Sequence, residues 1–136
     1  MILIALRVAF IALLLALVVG CATLTPPPNL DPAVVPIWQA NEAVVIVGTV
    51  QRAAIGLNGV QLCEPLPCHP LLSTANTGLV VDAATDALVT LRAAPSGWKG
   101  VALAALDRIA LRLDAAGITK FTPYLAGARL ALLAIH

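Results

Sequence analysis

The pattern that most constrains this chain lies in GWKGVALAALDRIALRLDAAGI, residues 97–118. Leu103, Leu106, Ile109, Ala110 and Leu113 recur at three- and four-residue steps, while Asp107, Arg108, Arg112 and Asp114 take the other side. A helix turns once per ~3.6 residues, so this spacing gathers the apolar side chains into one stripe that has to be buried against another element. Gly117 stands where a left-handed C-cap belongs and predicts where the helix stops.

The segments around it supply the partners. From about Leu72, Val81, Ala84, Leu88 and Leu91 repeat at helical steps with Asp82, Asp86 and Thr90 on another face, until Ala94-Pro95-Ser96-Gly97 ends the run. Thr122-Pro123 reads as the cap and first position of a last helix, YLAGARLALLAIH, in which Arg129 is the only charge. At about 20 Å that helix is too short for a ~30 Å bilayer core, so it is expected to be a bundle helix buried on most sides. Upstream, Asp31-Pro32 offers a helix start, although Pro36 argues for a beginning only after it. Gln39, Glu42, Thr49 and Arg52 share a side at helical spacing, which predicts a helix there. The β-branched run Val44-Val45-Ile46-Val47 would suit a buried strand equally well.

Between these helices, Leu57-Asn58-Gly59 signals a turn, and Pro65, Pro67 and Pro70 predict an irregular loop over 57–70. The fold class expected is therefore all-α, a small bundle of about four helices joined by short connections. Hydrophobic residues make up 60% of the chain and charged ones 11%, which points to membrane contact or to a core packed with Ala, Leu and Val and argues against disorder. Acidic and basic residues nearly cancel and form no basic cluster, which sets nucleic acid aside as a partner.

The first residues, MILIALRVAFIALLLALVVGC, place Arg7 before the unbroken apolar stretch Val8 to Val19 and end at Val18-Val19-Gly20-Cys21. This resembles the signal peptide and lipobox of bacterial lipoproteins. The resemblance implies removal of residues 1–20, lipidation (palmitate among the acyl groups) at Cys21, and a tether over 21–30 carrying Pro26-Pro27-Pro28, a stiff polyproline spacer. Ala22 after that cysteine implies the outer membrane, with the body, 31–136, facing the periplasm. The competing expectation is an uncleaved membrane anchor, disfavoured by the lack of a flanking Lys/Arg block. Without Arg7 the remaining chain has as many Lys/Arg as Asp/Glu, seven of each, so no net charge steers it to a partner.

Two further cysteines stand in CEPLPCH, residues 63–69. An oxidising compartment permits a disulfide between Cys63 and Cys68, the even pair left once Cys21 is lipidated. The motif also resembles a c-type haem attachment site, normally C-x-x-C-H, with His69 as axial ligand, and so allows a periplasmic electron carrier as the alternative. A closed zinc site would need Cys63, Cys68, His69 and His136 to converge. For catalysis, His69 lies near Ser73 and Glu64 without a nucleophile motif, Asp82 and Asp86 read as a solvated pair, and Gly97 and Gly100 lack a phosphate-loop context. The expectation is a non-enzymatic, cofactor-free binding or structural module of the cell envelope, encoded by a bacterium or a phage. It would meet the bilayer through Cys21 and an envelope protein through the Trp38 region, the loop at 57–70 or the last helix.

Overall fold

A computed structural model describes residues 25–64 and 66–136. The leader and Cys21 lie outside the described residues. Four helices form an all-α bundle: α1 (Val35–Gly59), α2 (Thr74–Ala93), α3 (Trp98–Ala115) and α4 (Thr122–Leu133). Two short strands, β1 (Gln61–Leu62) and β2 (His69–Pro70), join α1 to α2, and a 3₁₀ turn at Pro95–Gly97 joins α2 to α3. Helix α1 packs against each of the other three, and α3 likewise. The pair α1 and α3 thus meets across the short diagonal, while α2 and α4 stand at the ends of the long one.

Helix α1 starts earlier than Pro36 suggested. The Asp31 carboxylate accepts from the Ala33 amide at 2.9 Å and the Asp31 carbonyl from the Val34 amide at 2.8 Å, which winds the chain into the first turn. Proline in that turn forfeits an N–H that has no intrahelical partner anyway. The run Val44–Val47 is helical. Its four side chains point to different sides: Ile46 and Val47 are buried, Val44 is half-buried and Val45 is exposed. The expected polar side of α1 is also displaced. Gln39, Glu42 and Thr49 are half-buried on a flank, and the most exposed face carries Ile37, Val45 and Ile55.

Ser73 caps α2, its hydroxyl accepting from the Asn76 amide. The buried stripe of α2 runs through Val80, Ala83, Ala84, Ala87 and Leu91, with the predicted Val81 and Leu88 at its edge. Helix α3 buries Trp98, Ala102, Ala105, Leu106, Ile109 and Leu113 and ends as its sequence implies. Gly117 has φ of 72°, its amide bonds the Asp114 carbonyl, and the Ile118 amide bonds the Leu113 carbonyl, a Schellman closure.

Two expectations for α4 are corrected. Thr122 is the first helical residue and caps nothing; the preceding residue, Phe121, is fully buried and fixes the helix start by packing. Helix α4 is also buried along one side only, through Leu125, Ala131 and Leu132, while Leu130 and Leu133 are exposed. Short as it is, α4 lies against α1 and α3 and leaves its remaining surface open.

Alanine dominates the shared interior. Ala40, Ala43 and Ala54 of α1 face a core to which α2 gives Ala83, Ala84 and Ala87 and α3 gives Ala102 and Ala105. Side chains this small let helix axes approach toward the lower end of the usual ~8–10 Å range. The larger buried side chains, Leu72, Leu91, Ile109, Leu113, Phe121, Leu132 and Ile135, fill the spaces left between them.

Candidate functional site

The loop between α1 and α2 is built from the bundle outward. Asn58 does not turn the chain: α1 continues through Gly59, and the Asn58 side-chain amide donates to the Leu72 carbonyl at 3.0 Å and to the Thr74 hydroxyl at 3.4 Å. Leu72 itself is buried. One polar and one apolar contact therefore pin the base of the loop to both helices. Above the base, Gln61 pairs with Pro70 and Leu62 with His69 in an antiparallel ladder, and the Leu71 amide extends it to the Val60 carbonyl at 2.9 Å. The expectation of an irregular segment over 57–70 is corrected to the end of a helix and a small hairpin. Pro70 is tolerated because an edge position asks no amide of it.

At the tip the sulfurs of Cys63 and Cys68 lie 2.07 Å apart, a disulfide. Cys63, Glu64, Leu66, Pro67 and Cys68 are all exposed, Leu66 at 79%. The clasp closes over no core, so what it fixes is the shape of a surface loop. His69 is exposed as well, with Nδ1 3.4 Å from the Pro67 carbonyl oxygen. Among the described residues no three His, Cys, Asp or Glu side chains gather as metal ligands would. The four zinc candidates named from the sequence are accordingly not brought together.

The remaining sequence-derived candidates are spread over the surface. Trp38 is half-buried against the core, and its neighbour in sequence, Gln39, accepts a hydrogen bond from the Trp98 indole at 3.2 Å. Asp82 and Asp86 are exposed on α2, remote from Ser73 and His69 in the chain. Arg129 of α4 forms an ion pair with Asp107 of α3.

That ion pair borders an open cleft of about 210 Å³ between α3 and α4, lined by Leu106, Ala110, Leu113, Ile118 and Leu125. Ligand pockets usually occupy ~300–1,000 Å³. The cleft could take an apolar side chain, and it is small for a cofactor.

Sequence reasoning missed the outward face of α1. Its signal was present: Val34, Ile37, Asn41, Val45, Arg52 and Ile55 recur at three-, four- and seven-residue steps. It was hidden because the inward face of the same helix is equally apolar, which blurs the amphipathic contrast on which such readings depend. No helix among the described residues is long and apolar enough to cross a membrane. No protein-family model, curated protein or solved structure matches the chain.

Proposed function

We propose that this protein is a lipoprotein of the cell envelope, held to a bilayer through lipidated Cys21 and acting as a non-catalytic binding or structural module. The observation that carries the proposal is the sequence Val18-Val19-Gly20-Cys21 closing the apolar leader. Residues 1–20 are then the signal peptide, 21–30 the tether and 31–136 the working domain, on the periplasmic side of the outer membrane. The exposed Cys63–Cys68 disulfide agrees with that location, because surface cystines persist in oxidising compartments and are reduced in the cytosol.

The clasped loop is the surface through which such a module would meet an envelope protein. Leu66 projects from it, and a loop already fixed in shape loses less conformational freedom on binding. Intact-mass spectrometry of the membrane-extracted protein, before and after reduction and alkylation, tests the proposal. A chain starting at a lipid-modified Cys21 and lighter by two hydrogens than its reduced form is the expected result. An unprocessed N-terminus would replace the lipoprotein with a membrane-anchored protein. A covalent increment of haem size would move the function to electron transfer through Cys63, Cys68 and His69.

A further inference from the structure

We infer that the outward face of α1 is a membrane-docking surface, on which the tethered bundle lies against the headgroups of the bilayer that holds Cys21. This rests on the tether proposed above and goes beyond it by giving the domain an orientation.

The face is defined by Val34, Ile37, Asn41, Val45, Arg52 and Ile55, all exposed. Ile37, Val45 and Ile55 are 48%, 56% and 54% exposed, on the side of α1 opposite the buried Ala43, Val47, Val50 and Ala54. A helix apolar on both sides requires a second apolar or interfacial environment, and the bundle provides only the first. The one charge on the stripe is Arg52, with no carboxylate beside it. Its Nε donates to the Gly48 carbonyl at 3.3 Å, so the side chain folds back along the helix and its guanidinium lies over Gly48. Such an arginine can bury its stem at a bilayer surface and keep its guanidinium among phosphates.

The tether supports a lipid occupant. Val35 lies fourteen residues after Cys21, and turns closed by the Leu30 amide to the Pro27 carbonyl and the Val34 amide to the Asp31 carbonyl leave six residues between Cys21 and Pro27 as spacer, a reach of about 19 Å at ~3.1 Å per extended residue. The end of the face that carries Val34 and Ile37 is therefore held close to the bilayer by the anchor. Linkage of this kind raises the effective concentration to the millimolar range, where a weak apolar surface suffices. A second copy of the chain is a poorer occupant. A two-fold α1–α1 interface would bury two Arg52 side chains, and the one carboxylate of the helix, Glu42, is half-buried on the flank rather than on the stripe.

Bromolipid quenching of introduced tryptophans tests the inference. The full chain would be reconstituted in vesicles of phosphatidylethanolamine and phosphatidylglycerol with brominated acyl chains. Val45→Trp and Ile55→Trp report the stripe, and Leu111→Trp reports the exposed side of α3, across the short diagonal; all three positions are exposed in the native fold. The expected result is loss of at least half the added fluorescence at 45 and 55 and none at 111. Vesicle-bound protein without quenching at 45 and 55, or with equal quenching at 111, would overturn the docking and leave the tether standing. Protein that fails to float with the vesicles and carries no lipid on Cys21 would overturn both. A doubled mass in detergent that Val45→Asp abolishes, with no quenching, would give the face to a second copy and overturn the inference as well.

Discussion

Reducing the Cys63–Cys68 bond should loosen a loop while leaving the bundle nearly intact. The cystine closes a sequence separation of 5, for which loop-closure entropy in the unfolded chain gives about 2 kcal/mol of stabilisation. That figure applies in full only if the native loop stays equally ordered without the bond. Here Cys63, Glu64, Leu66, Pro67 and Cys68 are exposed and contribute nothing to the core, so the reduced native loop regains freedom too and much of the term cancels. The base remains held by Leu72, by the Asn58 side chain and by the Leu71 to Val60 bond. The net loss for Cys63→Ser/Cys68→Ser should be about 1 kcal/mol or less, a shift of about 4 °C in Tm. Far-UV circular dichroism melts would read it, and amide exchange at Leu62 should accelerate while exchange in α1 and α3 does not. A shift of ~8 °C or more, or unchanged exchange in the loop, would refute the idea that the clasp serves the loop alone.

Three further outcomes follow from the packing. Phe121→Ala, at a fully buried ring stacked 5.3 Å from Tyr124, should cost ~3–5 kcal/mol in urea unfolding, enough to threaten folding of a domain this size. Gly117→Ala places a Cβ at φ of 72° and should cost about 1 kcal/mol by the same assay through backbone strain, since the space around it is open. Burial raises the Tyr124 phenol above its ordinary pKa of 10.0, so the folded state holds its proton more tightly than the unfolded one; stability should be complete below pH 10 and fall as pH rises toward the folded value. Tyr124 is the chain's only tyrosine, which lets absorbance titration follow it directly, and Tyr124→Phe should remove the decline it causes.

How far the structure could be read from the sequence depended on contrast between helix faces. Helix α3 alternates Leu106, Ile109 and Leu113 with Asp107, Arg108 and Arg112, and its buried side follows from that, with the expected Leu103 and Ala110 half-buried at its edge and the Gly117 closure at its end. In α2 the inward positions are mostly alanine, so the eye follows the larger Val81 and Leu88 and misplaces the stripe by part of a turn. In α1 isoleucine and valine stand on both sides, Ile46, Val47 and Val50 inside and Ile37, Val45 and Ile55 outside, so neither size nor hydropathy tells the two faces apart. The start of α4 was misread because Thr122 has the chemistry of a cap, whereas tertiary burial of Phe121 sets the boundary. At the loop, the cysteine pair was legible from its spacing and the prolines between. The Asn58 anchor was not, because its partners Leu72 and Thr74 become neighbours only after the hairpin folds back.

The alanine interior has a consequence for how this sequence can drift. In most cores the damaging change is a deletion that leaves a void. Positions such as Ala43, Ala54, Ala84, Ala102 and Ala105, each without measurable exposure, have only one methyl group to lose and no room to gain another. A single added methyl group there must push two helices apart along their length, at a cost of about 1–3 kcal/mol. Random substitution is thus filtered asymmetrically, with growth tolerated on the outward aliphatic face and refused within. Descendants of this chain can change their outward residues more freely than the narrow seams within.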